Sequence, residues 1–203
     1  MRHLALATLM IAGLAGHGLA AAAPDFTTDP KAVHGGNYVI EPNHTRVLFS
    51  VNHMGFTTWY GEFTGATGSL VLDPAKPSAS TLDVSIPVAN ISTSNAKLDG
   101  ELKSPAWFDA AQFPTVSFHA TNVTVTGRGA ARVTGALTLH GVTKTITLQA
   151  KLNGAGPNPV LKTYTVGFEV SGKIHRSDFG VKAYVPVVGD DVNLIISAAF
   201  VPK

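Results

Sequence analysis

Residues 38–67 read YVIEPNHTRVLFSVNHMGFTTWYGEFTGAT. Within them Val47, Phe49, Val51 and His53 alternate with Arg46, Ser50 and Asn52, the period of two that a strand shows when one face is buried. Leu48 and Met54 interrupt the polar face. Alternation resumes after Gly55, so the stretch is predicted to be a long β-hairpin. The same period recurs downstream at Leu82, Val84, Ile86 and Val88, at Val116, Phe118 and Ala120, at Val133, Leu137 and Leu139, over residues 143–152, from Tyr164 to Ile174, and from Val192 to Phe200. This amounts to about eight antiparallel strands joined by connections short enough for meanders. Only residues 95–103 carry helical spacing: Leu98 and Leu102 stand at i and i+4, Ser94 is the expected N-cap, and Gly100 keeps the helix short.

The chain begins with a charged start at Arg2, an apolar run and a close of small residues, GLAAAA. This pattern is a secretory signal peptide over residues 1–22, cut within residues 20–23. Residues 23–37, with their threonines, Asp29, Pro30 and paired glycines, are expected to form a flexible leader before one domain over residues 38–203. An exported chain with no cysteine has no disulfide to staple it and must rely on its own core. The formal net charge is only +2, and falls to +1 if Arg2 leaves with the signal, too small a surplus to recruit nucleic acid. After the signal, no apolar run is long enough to span a bilayer as a helix.

Eight alternating strands can close into a barrel or stack as a sandwich, and periodicity does not separate the two. Gly61, Gly65, Gly135, Gly167 and Gly172 lie in or beside strands, where glycine weakens a sheet unless it bends sharply or something approaches the backbone. Closure also removes exposed edges from a sheet rich in Val and Phe. Both arguments favour the barrel.

Searching for chemistry finds little of it. There is no G-x-S-x-G elbow, no P-loop, no H-E-x-x-H and no cysteine nucleophile, so the chain is read as a binding protein without a catalytic cofactor. His44, His119, His140 and His175 fall one to a segment without ligand spacing, which argues against a metal site. His53 stands on the apolar face of the first strand, where it either bonds a ligand's polar head or is a core histidine satisfied by the protein. Arg176 is either a donor at a cavity mouth or the partner of Asp178 in a turn, and the turn is favoured. Lys103 and Lys182 are head-group contacts or solvated surface.

The opening stretch resembles, almost position by position, the DPxHTxVxFxVxHxGxxxxxGxF motif of the YceI-like family of periplasmic lipid-binding proteins. Three further blocks extend the resemblance: LDGELKSPAWFDAAQFPTVSF at residues 98–118, GALTLHGVTKTITL at 135–148, and HRSDFGVKAYVPVVGDDVNL at 175–194. They come in the family's order and spacing. The resemblance implies an all-β fold, an extended lipocalin-like eight-stranded antiparallel β-barrel with one short helix near the mouth. It also implies sequestration of an isoprenoid or another long-chain lipid, such as a polyprenyl, quinone-like or fatty-acid derivative, in the periplasm, with transient contact with membranes. On this reading Phe49, Val51 and His53 from the first strand, Phe63 from the second, and Trp107, Phe108, Phe113 and Phe118 further on meet the ligand, with Arg176 at the mouth. Glu41, Leu98, Glu101, Ala106 and Trp107 depart from the family pattern; the departures clustered around the short helix bear on ligand identity, and the fold is not in question. An enzyme acting on a lipid in the same cavity, or a barrel with a filled core, are the alternatives, and the oligomeric state is left open.

Overall fold

A computed structural model describes residues 25–203, and the expected signal peptide lies outside them. The hairpin at residues 38–67 is present, but each of its arms is broken. One arm is β1 (Gly36–Ile40) followed by β2 (Arg46–His53), and the other is β3 (Thr57–Phe63) followed by β4 (Thr67–Leu72). β1 pairs with β4 and β2 with β3, so the two arms stay together through the break.

The break is built by the EPNHT segment. Glu41, 7% exposed, accepts hydrogen bonds at Oε1 from the Asn43 backbone N–H (3.1 Å) and side-chain amide (3.0 Å). Its Oε2 accepts from the His44 backbone N–H at 2.9 Å and contacts the His44 ring. Burial pushes the Glu41 carboxyl up, yet these bonds together hold it below the usual glutamate value. Thr45 is buried, and its hydroxyl accepts from the Ala199 N–H at 3.0 Å. The motif is therefore a corner that fastens the first strand to the last.

The remaining strands are β5 (Thr81–Pro87), β6 (Ile91–Ser92), β7 (Thr115–Gly127), β8 (Ala130–Leu139), β9 (Val142–Asn158), β10 (Thr163–His175) and β11 (Val188–Pro202). Around the sheet the order β1-β4-β5-β7-β8-β9-β10-β11 returns to β1, which closes an antiparallel barrel of eight strands. β11 pairs with β1 at one end and with β2 at the other, because its 15 residues span both segments of the first arm. At the second end β6 is only two residues long, and helix α1 (Ala96–Leu102) with the loop that follows it stands between β6 and β7. This is the upper end. The lower end holds the β7–β8 turn, the β9–β10 connection and the chain's described N-terminal segment.

Alternation puts Leu137, Leu148, Val170, Leu194 and Ile196 toward the interior. Three interior glycines let a neighbouring side chain lie flat across their strand. A Cβ at Gly61 would come within 2.3 Å of the Phe49 ring, one at Gly135 within 2.5 Å of the Phe118 ring, and one at Gly172 within 2.5 Å of Leu148. The glycines thus mark close approach, as their cost inside a strand requires.

Two local expectations differ from the structure. Asn95, not Ser94, caps α1, its side chain accepting from the N–H groups of Lys97 and Leu98, while Ser94 takes φ 60°. Residues 25–37, expected as a flexible leader, are tied down instead. Thr27 exchanges two 2.8 Å backbone hydrogen bonds with Ala155, Val33 is buried in the core, and the His34 ring stacks on Tyr164 at 4.2 Å. The reason is the length of β9, whose outer half runs past β8 and leaves an edge for residue 27 to occupy.

Candidate functional site

The barrel's upper half encloses a cavity of about 470 Å³, within the range of small-molecule sites. Its wall comes from nearly every strand. Val47, Phe49, Val51 and His53 of β2 all face it, as the alternation predicts, and Trp59 and Phe63 enter from β3. Phe118 contributes from β7, Leu98, Glu101 and Leu102 from α1, and Trp107 and Phe108 from the following loop. The rings form a connected wall: Phe49 lies 5.7 Å from Phe63, which meets Phe108 edge-on at 5.7 Å. Such tilted and edge-on contacts are the favoured aromatic geometries.

Polar groups gather toward the upper end. The His53 ring lies 5.0 Å from Trp59. Trp107 donates its indole N–H to Glu101 at 3.3 Å and lies 6.1 Å from Tyr184. Over the same indole, at 5.3 Å from its centroid, sits the Arg176 guanidinium.

Arg176 is buried, and Asp178 is not its partner. Its Nε, Nη1 and Nη2 donate to the carbonyls of Gly189 (2.9 Å), Val181 (3.0 Å) and Val188 (2.8 Å). These bonds close the segment that carries Tyr184 over the cavity mouth. A guanidinium has five N–H donors, so these three bonds leave two unused, and Arg176 is among the residues that line the cavity. Burial draws Arg176 below its ordinary pKa and Asp190 opposes that. Burial pushes the Asp190 carboxyl up, but the bonds it accepts from the Ser177 hydroxyl (2.7 Å) and N–H (2.8 Å), together with nearby His175 and Arg176, lower its pKa overall.

Phe113 is the predicted site residue that the cavity does not contain. It packs edge-on against His140, 4.8 Å between centroids, and covers Gly141, where a Cβ would come within 2.4 Å of its ring. His140 bonds the Phe179 carbonyl at 3.1 Å. The aromatic loop, the β8–β9 turn and the RSDFG turn therefore brace one another outside the cavity. Trp59, Glu101, Leu98 and Tyr184 are lining residues that strand-by-strand reading missed. For Trp59 the signal was present, since it shares the inward face with Phe63.

A second cavity, of about 740 Å³, occupies the lower end. It is walled by Val33, Leu70, Val133, Leu152 and Phe168, among others. Leu82, Val170, Ala198 and Phe200 border both cavities and form the wall they share. Among the described residues no cluster of His, Cys, Asp and Glu has the geometry to hold a metal ion.

Comparison with known proteins agrees with this architecture. The YceI-like domain model matches residues 38–200. A UPF0312 protein of Azotobacter vinelandii is 36% identical over 163 residues, covering 79% of this chain and 84% of the relative. The crystal structure of a Campylobacter jejuni YCEI protein superposes with a TM-score of 0.66 at 30% identity, over 75% of this chain and 90% of that one. A polyisoprenoid binding domain from Saccharophagus degradans, implicated in plant cell wall breakdown, shares the fold with a TM-score of 0.62 at 15% identity, over 82% and 98% of the two chains. With the family's motifs forming the barrel corner, the mouth and the braces between them, the chain belongs to the YceI-like domain family.

Proposed function

We propose that this protein is exported to the bacterial periplasm and sequesters an elongated, largely apolar lipid, a long-chain isoprenoid by preference, for carriage or buffering. The observation that carries the reading is the upper cavity, walled by Val, Leu, Ile and Phe side chains with His53, Glu101 and Arg176 toward one end. That asymmetry suits a molecule with a hydrocarbon tail and a small polar head. The fold shared with the Saccharophagus polyisoprenoid binding domain supports the same class of ligand. In this reading the protein does no covalent chemistry and calls for no catalytic cofactor.

The driving force is desolvation, roughly 0.8 kcal/mol for each methylene removed from water. Against a bilayer the same tail gains almost nothing, because lipid is equally apolar. Selection among membrane lipids therefore rests on tail shape and on the polar lining residues His53, Glu101 and Arg176.

Replacing Phe49 with Trp tests the reading, because the ring already lies flat on Gly61 and added bulk must project into the cavity. Titration of a fluorescent isoprenoid analogue should show the affinity falling by about tenfold, the equivalent of roughly two methylenes displaced from the site. Thermal unfolding measured alongside should lose no more than about 1–3 kcal/mol, the cost of overpacking. Unchanged affinity in a folded Phe49→Trp protein would reject the cavity as the binding site.

A further inference from the structure

The rim of the upper opening is apolar on its outside as well as its inside. Phe56 is 87% exposed, Tyr184 64%, Val187 57% and Met54 47%. They belong together: the Met54 N–H donates to the Val187 carbonyl at 3.0 Å, joining the β2–β3 turn to the segment that Arg176 closes. Met54 and Tyr184 also border the cavity, so the exposed apolar surface continues into its wall. Both hold left-handed backbone, at φ 58° and 59°, which bulky side chains adopt only at a cost. Strained backbone that presents apolar side chains to solvent is an outlier of the kind that collects at functional segments.

We propose that this rim docks on the surface of an electrically neutral lipid bilayer, and that the cavity's ligand is exchanged through it. The exchange rests on the carrier reading above; the docking rests on the rim alone. A bilayer is the occupant that fits, because a tail leaving a membrane for the cavity through water would lose its whole burial on the way. A mouth seated in hydrocarbon removes that barrier. Phenylalanine and tyrosine are side chains that enter the interfacial region readily. Charge at this end is mixed: Lys97, Lys103 and Lys182 stand among Asp99, Glu101 and Asp178 in the same loops and helix. Apolar insertion, rather than attraction to anionic lipid, is therefore the mode of binding.

The test uses ligand-free protein and phosphatidylcholine vesicles in co-sedimentation. Wild-type protein should sediment with the vesicles, and should still do so in about 1 M salt, where the screening length is near 3 Å. The double variant Phe56→Ser, Val187→Ser alters residues outside the cavity wall. It should lose at least about tenfold in vesicle affinity, since even one well-buried apolar side chain is worth that much. Its titration with farnesol from water should match wild type, while its transfer of a pyrene-labelled polyprenol between vesicles slows in step with the lost affinity. Phe56→Ser alone, at the most exposed of these positions, serves if the double variant does not fold. Docking is overturned if wild type stays in the supernatant, if salt releases it, or if the folded variant sediments and transfers as wild type does. Sedimentation without uptake of farnesol or polyprenol would uphold the docking surface and reject the carrier reading. Farnesol binding without sedimentation would do the opposite.

Discussion

Glu41 shows how a single side chain in the family's opening motif serves the fold rather than the ligand. Its carboxylate gathers N–H groups of Asn43 and contacts the His44 ring at the corner where β1 gives way to β2. Glu41→Gln would put an amide NH2 in place of one of the two accepting oxygens, facing a donor, and should cost about 2 kcal/mol in urea unfolding at neutral pH, as for bonds to a charged group. Because the folded carboxyl lies below its ordinary value, the stabilisation is complete above about pH 4.3 and is lost as pH falls through the folded value. The variant should therefore have a flatter acid limb than wild type; equal acid limbs would remove Glu41 from the account. Arg176 gives the opposite lesson about residues. A turn pair with Asp178 was the natural local reading of RSDF, yet the guanidinium reaches carbonyls as far away as Gly189, 13 residues on. Nothing in a local motif announces a partner that only tertiary folding supplies.

Among the elements, the β8–β9 hairpin carries the clearest local instruction. His140 and Gly141 take φ 51° and 73°, the pair of left-handed residues that a type I′ turn requires, and the Leu139–Val142 pair closes it. Gly141→Ala would force a Cβ into left-handed backbone and against Phe113. It should lower the urea midpoint at unchanged slope, with a loss of about 1–3 kcal/mol. A midpoint shift below measurable size would mean that the brace of Phe113, His140 and Phe179 holds nothing. Strand positions and inward faces were legible because alternation is a local property, as Val47, Phe49, Val51 and His53 demonstrate. Element ends were less so. Asn95 and Ser94 are both good caps, and only the backbone conformation of Ser94 decides between them. Phe113 shares its composition with Trp107 and Phe108, and only the path of the loop sends it out to cover the hairpin instead of inward.

For the whole molecule, closure is the property that periodicity could not supply, since sandwiches and barrels alternate alike. It arises from β11, long enough to pair with both segments of the first arm, and from the corner at Glu41 and Thr45 that hands it from one to the other. The same closure creates the interior space, which no single strand encodes; the lower cavity depends on Val33, in a stretch whose composition resembles a linker. The central claim is that this space holds a long-chain lipid. Native mass spectrometry of protein gently purified from its own compartment, followed by organic extraction, tests it most directly. The account predicts one near-stoichiometric long-chain species bound to the intact protein and recovered in the extract, whereas ligand-free protein across repeated gentle preparations would contradict it.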